Sequence, residues 1–424
     1  MSGKRVAVAG GGAAGLMAAL SAATAGCEVV LFEAMPSPGR KLLVTGGGRC
    51  NLTTTASTVD IMQAFGRHGR FAAPALDFYG TAEIRNFFAA AGVPTVSEAD
   101  GSVFPESQRA GDILRVLQET AEAAGVTILC NRKISGVELS ADGRVIGVSP
   151  GKGVVRCEAL VLATGGCSYP ALGSDGSGWR VARQLGVAVV RPTPSLVPLV
   201  VAEEWPTTLS GIVLPRARLR LEARRASRTG VEGALLFTHR GISGPVTLAV
   251  SGEVAERLET SGGSVVLRLS IDASRGVDSW LQLFESWQRQ WPQRLCRNLL
   301  SGEVTRRVAE VLCQTAGVAE AVVGQAGRSR LRELAELCAN APLTVTATEG
   351  WARAIITRGG IDRRELDPQS LAVRRVSGLF CAGECVDIDG PCGGYNLTWA
   401  FASGALAGHA AAAYLAKEAA SAKP

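Results

Sequence analysis

Histidine is scarce in this sequence, and its cysteines are scattered. Only three histidines occur among the 424 residues, and the eleven cysteines include no Cys-x2-Cys pair. A zinc site or an iron–sulfur cluster is therefore not expected, and no metal ligands are assigned. The odd number of cysteines, without an export signal, favours a reducing, cytoplasmic location over a disulfide-bonded secreted protein.

A large charge of either sign is also absent. The net charge is +6, from 44 basic and 38 acidic residues, so a nucleic-acid partner is not expected. The densest basic run alternates with Leu219 and Leu221, which favours the solvated face of a strand over a nucleic-acid patch. This run consists of Arg216, Arg218, Arg220, Arg224, Arg225 and Arg228.

The apolar stretch near the C-terminus is not long enough without interruption to suggest a membrane partner. Residues 397–415 contain Ser403, Gly404, Gly408 and His409. This pattern favours a buried helix over a membrane span.

The sequence is instead rich in apolar residues and glycine. Hydrophobic residues make up 47% and charged residues 19%, which is enough for a large core and excludes a disordered chain. The 51 glycines follow no triplet period, so a collagen-like protein is excluded and each glycine cluster needs a local explanation. At about 100–200 residues per domain, the length predicts two or three domains.

The N-terminal pattern predicts a nucleotide-binding α/β fold. Residues 5–10 indicate a buried parallel strand, 13–26 a helix of small residues and 28–33 a second strand. Short apolar strands are also predicted at 159–163 and 378–382. Between them, the chain is β-rich from 193 to 272 and helical from 273 to 342, where Trp280, Phe284 and Trp287 share a helix face suited to core packing.

The first glycine cluster has the dinucleotide-binding fingerprint. Gly10, Gly12 and Gly15 satisfy G-x-G-x-x-G after a strand and at the start of a helix, and Glu33 ends the next strand. The glycines permit a tight turn, backbone approach to a pyrophosphate and close helix packing. Glu33 can accept hydrogen bonds from both ribose hydroxyls of an adenosine. The alternative is a glycine-rich turn without a ligand.

Three further glycine-rich segments follow predicted strands. They are 39–51 (GRKLLVTGGGRCN), 163–178 (ATGGCSYPALGSDGSG) and 381–396 (CAGECVDIDGPCGGYN). Glycine adopts backbone conformations barred to other residues and lets a flat ring approach closely, so we interpret 39–51 as a ligand loop rather than a flexible surface loop. The helix after 396 is predicted to direct its positive N-terminal end at the bound ring.

These segments resemble the HI0933/BaiN-like family of FAD-dependent oxidoreductases. FTHRGISGP at 237–245 and TRGGI at 357–361 also match, so the resemblance runs from residue 10 to 404. It departs from the family at 173–178, where GSDGSG replaces the usual GSTGDG, and at Gly186-Val187, where the family commonly has Gly-His. These departures indicate a divergent subgroup.

The resemblance implies an α/β fold with a two-dinucleotide-binding-type Rossmann FAD domain, a β-barrel-like insert and a small helical domain. The FAD domain is then formed by 1–192 and 343–424, with a β-rich insert at 193–272 and a helical insert at 273–342. The predicted FAD-binding residues are Gly10, Gly12, Ala13, Ala14, Gly15, Glu33, Arg40, Lys41, Gly47, Gly48, Arg49, Asn51, Ile134, Thr164, Gly165, Gly166, Gly383, Glu384, Asp387, Gly393, Gly394, Tyr395, Asn396 and Leu397.

The function that the resemblance implies is an FAD-dependent oxidoreductase. We interpret it as a reductase of a small, enone-like organic substrate. G-x-G-x-x-G occurs only at 10–15, so FAD is expected there and NADH or NADPH binds only transiently. Two alternatives remain: a flavoprotein that acts on RNA, and a non-catalytic flavoprotein that senses redox state.

No catalytic residue is assigned from the sequence. His239, within FTHRGISGP, is either a general acid or a structural side chain. Cys50 and Cys392 are either a redox dithiol or unpaired loop residues. The oligomeric state is not predicted.

Overall fold

The computed structural model describes residues 5–151, 153–222 and 229–421, which divide into two compact units. The sheet unit combines Met1–Thr193 with Ile355–Pro424, and the barrel unit is Pro194–Ala354. Three arginines of the basic run, at 224, 225 and 228, lie outside the described residues.

A parallel sheet of five strands forms the centre of the sheet unit. Its strands, in spatial order, are Leu379–Cys381, Ala159–Leu162, Arg5–Ala9, Glu28–Phe32 and Thr127–Leu129. All neighbours pair in parallel. Nearly all residues of the three middle strands of the sheet are buried, as expected for a parallel sheet covered on both faces. The two ends of the chain therefore build one sheet.

Two helices of small residues, Ala13–Thr24 and Tyr395–Ser421, pack closely in this unit. A Cβ atom on Gly404 would lie 2.3 Å from the carbonyl oxygen of Ala14, and one on Gly408 would lie 2.1 Å from that of Ala18. Only glycine permits this approach. The apolar C-terminal stretch is a buried helix, as predicted. Nowhere in the described residues does a helix have the length and apolarity needed to cross a bilayer.

The rest of the sheet unit consists of short elements around this core. The further helices are Thr58–Ala64, Gly69–Phe78, Thr81–Ala90, Ala110–Ala123 and Ser177–Gln184. Two small antiparallel sheets comprise Thr53–Thr54, Thr95–Ser97 and Ser102–Pro105, and Gly136–Leu139, Val145–Ser149 and Val155–Arg156. Val189–Ser195 pairs with Ile356–Ile361.

Six strands close into a barrel in the other unit. In spatial order they are Leu199–Val201, Gly241–Ser243, Val231–Thr238, Val213–Leu221, Val265–Ser270 and Ala341–Thr348, which returns to the first. The helices of this unit are Glu204–Thr208, Pro245–Ser261, Val277–Gln290, Cys296–Leu300, Arg306–Thr315 and Arg328–Asn340.

One hydrophobic core joins the barrel interior to these helices. Leu219 and Leu267 from the strands belong to the same cluster of buried residues as Trp280 and Phe284 from the helix face, and all four are 0% exposed. The β-rich and helical segments therefore fall within one compact unit, to which the strand Ala341–Thr348 also belongs. The predicted fold class is confirmed: a Rossmann-type α/β unit interrupted by a barrel and helices.

Candidate cofactor and active site

The turn at Gly10–Gly15 is built from glycines with different requirements. Gly10 has φ +104°, and a Cβ on Gly15 would lie 1.8 Å from the carbonyl oxygen of Gly10. A Cβ on Gly12 would instead meet no described atom within 4 Å. Gly10 and Gly15 therefore serve the fold, whereas Gly12 leaves open space at the helix N-terminus. There Ala13 and Ala14 begin the first turn, whose N–H groups have no partner within the helix.

The Glu33 side chain connects this turn to the end of the second strand through hydrogen bonds. Its Oε2 accepts a hydrogen bond from the Gly11 N–H at 2.6 Å, and its Oε1 accepts one from the Met35 N–H at 2.7 Å. The side chain is buried, with 9% exposure. A carboxylate can accept further hydrogen bonds beyond these two, so the contacts are compatible with ribose hydroxyls as additional donors.

The glycine loop after Glu33 is exposed in its middle and held at its C-terminal end. Glycines 46–48 have φ of +56°, +69° and +87° and are exposed. The Arg49 guanidinium lies 4.0 Å from the centre of the Phe104 ring, and Asn51 Oδ1 accepts from the Val103 N–H at 3.2 Å. Arg49 and Asn51 thus anchor the loop through these contacts, while the glycines leave backbone open to a flat ligand.

The Glu384 carboxylate accepts hydrogen bonds from residues of three segments that are distant from one another in sequence. Its Oε1 accepts from the Ser168 hydroxyl at 2.5 Å and from the Thr357 N–H at 2.9 Å, and its Oε2 accepts from the Lys41 ammonium. Lys41 also lies 2.6 Å from Ser168 Oγ. The Lys41 and Glu384 side chains are 21% and 20% exposed, so a ligand can still reach them. The structure therefore brings three of the glycine-rich segments, 39–51, 163–178 and 381–396, together with Thr357 in one polar cluster.

The Thr164–Gly166 segment follows the strand Ala159–Leu162 and lies beside this cluster. A Cβ on Gly166 would lie 2.3 Å from Thr357 Oγ1, and Gly165 has φ +73°. Thr164 Oγ1 is buried and has no hydrogen-bond partner among the described residues. Because an unpaired buried hydroxyl is costly, a polar ligand group at this position would improve the site.

The closing segment 383–397 approaches the first helix and then turns. Gly383 has φ +73°, and a Cβ there would lie 2.7 Å from Ala14 Cβ. Gly393 and Gly394 have φ of +115° and +91°, and a Cβ on Gly394 would lie 2.1 Å from the carbonyl oxygen of Thr53. These glycines bring the backbone close to the strand Thr53–Thr54 before the last helix begins.

Asn396 closes this turn with its side chain. Its amide donates to the carbonyl oxygens of Gly390 at 2.9 Å and Pro391 at 3.1 Å, and accepts from the Gly390 N–H at 2.8 Å. The Asn396 side chain thus acts on the turn itself. Tyr395 and Leu397 flank it, half-buried, in the first turn of the final helix.

A buried histidine that sequence reasoning did not select lies against Asp387. His68 and Asp387 are 4% and 2% exposed, and His68 Nε2 lies 3.9 Å from Asp387 Oδ2. The same nitrogen accepts from Arg67 Nε at 2.8 Å, and Arg363 lies 3.6 Å from Asp387. Burial, together with the cations of Arg363, Arg67 and Arg358, lowers the pKa of His68 to about 4, and burial raises the pKa of Asp387. His68 lies outside the motifs that carry the family resemblance, so the scarcity of histidine in the chain is the one signal in the sequence that points to it.

We expect this histidine to make stability fall as pH drops from 6.5 to about 4. In that interval the unfolded chain binds a proton at His68 that the folded protein does not, so the free energy of unfolding falls by up to about 1.4 kcal/mol per pH unit. Asp387, with its raised pKa, contributes the opposite slope above pH 3.8. Urea unfolding across the interval should show a shallower acid loss in His68→Gln than in wild type. Equal slopes would contradict the burial of a neutral His68.

The remaining sequence candidates differ in their burial. Ile134 is buried, with 6% exposure. His239 is exposed in the turn between two barrel strands, Val231–Thr238 and Gly241–Ser243. Cys50 is buried, which raises the pKa of its thiol to about 12, and Cys392 is exposed. Neither cysteine forms a disulfide in the part of the chain that the structure describes.

Comparison with known proteins agrees with this architecture. The family model described as the HI0933-like protein Rossmann domain matches residues 4–410. The chain belongs to this family. It is 30% identical over 417 residues to the 3-dehydro-bile acid delta(4,6)-reductase of Clostridium scindens, covering 96% of this chain and 99% of the relative. It is 29% identical over 402 residues to the ribosomal RNA dihydrouridine synthase of Haemophilus influenzae, covering 93% and 95%.

A solved structure shows the same fold at low sequence identity. The 3-ketosteroid-delta4-(5alpha)-dehydrogenase of Rhodococcus jostii RHA1 has a TM-score of 0.50 and 19% identity, covering 97% of this chain and 96% of that chain. This likeness supports the fold, and the family match with the bile-acid reductase relative identifies the HI0933-like chain as an FAD-dependent oxidoreductase.

Proposed function

We propose that the four glycine-rich segments hold FAD, and that the enzyme uses NADH or NADPH to reduce a carbon–carbon double bond conjugated to a carbonyl group. The observation that carries the proposal is the convergence of Lys41, Ser168, Thr357 and Glu384 in one partly exposed polar cluster. The bile-acid relative supports a small organic substrate of the enone class.

Each part of the site fits a portion of the cofactor. The open space at Gly12 and the N–H groups of the helix after it suit the pyrophosphate, and Glu33 suits the adenosine ribose. The unpaired Thr164 hydroxyl and the Lys41–Glu384 pair offer hydrogen bonds to polar groups between these ends. The glycines at 46–48, 393 and 394 leave backbone accessible to the flat ring.

The chemistry divides between cofactor and protein. FAD, once reduced by NADH or NADPH, would supply the hydride that the β-carbon of a conjugated substrate accepts, and the α-carbon would take up a proton from water. The protein orients the substrate and stabilises the charge that develops on its carbonyl oxygen. Lys41 is a cation within the site, and its contacts with Glu384 and Ser168 fix its position.

The single fingerprint supports transient use of the reductant. Gly10–Gly15 is assigned to FAD, and the sequence has no second G-x-G-x-x-G for a resident nicotinamide cofactor. NADH or NADPH then binds, reduces the flavin and leaves, so no NAD(P) should co-purify.

Anaerobic spectroscopy tests this proposal. We expect NADH or NADPH to bleach the visible flavin absorption, with saturation only at high concentration, and a conjugated 3-keto steroid to restore it. The saturated 3-keto steroid is the matched control and should restore nothing. If neither nicotinamide reduces the flavin, or if both steroids act alike, the proposed reaction is wrong.

A second candidate is reduction of uridine in RNA. The Haemophilus influenzae relative, named a ribosomal RNA dihydrouridine synthase, favours it. The chemistry is of the same type, because the double bond of uracil that becomes saturated is conjugated to a ring carbonyl. Adding uridine-containing RNA to the reduced enzyme separates the two candidates: flavin reoxidation with dihydrouridine formation, and salt-dependent RNA retention, would favour RNA over the steroid.

A further inference from the structure

The barrel unit has a basic groove on its outer face. A cavity of about 670 Å³ is lined by three arginines and one carboxylate, with polar groups between them. The residues that matter are Arg218, Arg220, Arg268, Glu232, Ser270 and Asn340. This volume lies within the range of small-molecule sites, about 300–1,000 Å³.

Strand alternation places the arginines on this face. In the strand Val213–Leu221, Leu219 and Leu221 point into the barrel core and are buried. Because successive side chains of a strand point to opposite faces, Arg218 and Arg220 point outward. The neighbouring strand, Val265–Ser270, presents Arg268 on the same face.

The pairing register sets two of these cations directly opposite each other. Arg220 pairs with Arg268 across the two antiparallel strands. Like charges at directly opposite positions destabilise a sheet unless other groups compensate them. The compensation is partial: Glu232 lines the groove, and Glu222 beside it attracts both Arg268 and Arg220, so two carboxylates face three arginines and one positive charge is left over.

The hydrogen bonds of the groove leave donors on the opposed pair. Arg220 Nη2 donates to the uncharged amide oxygen of Asn340 at 3.1 Å, and Arg268 Nε donates to Glu222 at 2.8 Å. Each guanidinium thus uses one of its several N–H groups in contacts to the described residues. Arg218 differs, since it donates to Glu232 at 2.6 and 3.0 Å and to the Ala273 carbonyl oxygen at 2.6 Å.

We propose that this groove binds the phosphoryl group of a nucleotide-sized anion, held by Arg220 and Arg268. Planar guanidinium groups match the oxygens of phosphate in a two-bond geometry, and an anion between the two arginines relieves their repulsion. Asn340 fixes one arginine and Glu222 the other, so the pair is held in place before the anion binds. The phosphoryl group belongs either to a free nucleotide or to a nucleic-acid backbone. This site is independent of the proposed reductase reaction.

Binding to the holoenzyme tests the groove. Calorimetric titrations with inorganic phosphate, adenosine 5′-monophosphate and a short single-stranded RNA should give a signal for at least one phosphate-bearing probe. Adenosine, which lacks the phosphate, should give none. Arg220→Gln and Arg268→Gln should each weaken binding about tenfold or more, in line with the loss of a charged hydrogen bond. Arg306→Gln, on an exposed helix site, is the matched control and should bind like wild type.

A variant of opposite sign separates the groove from unfolding. Glu232→Gln removes the one lining carboxylate, so it should strengthen binding several-fold, which a damaged fold cannot do. Binding of the monophosphate identifies a free nucleotide as the source, and binding of RNA alone, steeply weakened by salt, identifies a nucleic-acid backbone. The proposal is wrong if none of the phosphate-bearing probes binds, or if binding is unchanged in both arginine variants.

Discussion

Gly12→Ala is expected to leave the folded protein stable but to remove most of its FAD affinity. Gly15→Ala is expected to lower both the stability and the FAD affinity. A Cβ at Gly12 meets no described atom within 4 Å, and its φ of −79° suits any residue, so the apoprotein tolerates the methyl group. The same methyl would fill the open space that we assign to the pyrophosphate in the proposed FAD site. The loss of its charge-assisted hydrogen bonds should cost about 1.5–3 kcal/mol of binding.

Gly15 differs because its Cβ would lie 1.8 Å from the carbonyl oxygen of Gly10. The strand and helix must then separate, and we expect a loss of more than about 3 kcal/mol in the free energy of unfolding. Flavin titration and thermal unfolding of both apoproteins check these two results together. FAD affinity equal to wild type in Gly12→Ala would show that the pyrophosphate binds elsewhere.

Gly408→Leu is expected to destabilise the sheet unit strongly and to release FAD. A Cβ on Gly408 would lie 2.1 Å from the Ala18 carbonyl oxygen, so a leucine forces the final helix away from the first. Overpacking of this kind, against backbone rather than flexible side chains, should cost about 3 kcal/mol or more. The first helix also carries the N-terminal groups assigned to the pyrophosphate, and its displacement should lower FAD affinity.

The matched control for this variant is Ala413→Leu, on an exposed position of the same helix. It should change the free energy of unfolding by no more than about 0.5 kcal/mol. Chemical denaturation of the wild-type, Gly408→Leu and Ala413→Leu apoproteins measures both changes in the free energy of unfolding. A Gly408→Leu protein as stable as wild type would mean that the two helices do not pack in this way.

The sequence predicts best where structure is local. Strand, glycine turn and helix follow one another within residues 5–32, and each is specified by neighbours in the chain. The sequence also selects Lys41 and Glu384, because both lie in glycine-rich segments. It does not reveal that they contact each other, since 343 positions separate them and only the tertiary fold joins them.

The sequence pattern does not reveal the helices between residues 58 and 90, and for one of them, Gly69–Phe78, the reason is its composition. Pro74 lies inside the helix Gly69–Phe78, and Gly69 begins it. Both residues are poor helix formers, so they hide the apolar period on which a helix prediction rests. His68 was overlooked with them, although its contact with Asp387 makes it part of the site's surroundings.

The role of Asn396 also depends on tertiary structure. The sequence places Asn396 among the predicted FAD-binding residues, and the structure adds that its amide bonds to Gly390 and Pro391. A side chain that is flexible in isolation finds its partners only when the turn has formed. Sequence spacing indicates that a residue lies near a site, but not which atoms it contacts.

The identity of the bound cofactor tests the central claim most directly. The purified protein is heated to release its ligand, which is then separated by chromatography and quantified against protein. We predict FAD at about one molecule per chain, because Gly12, Glu33 and the Lys41–Glu384 cluster together suit a dinucleotide flavin. Recovery of FMN, or of NAD without flavin, would contradict the account.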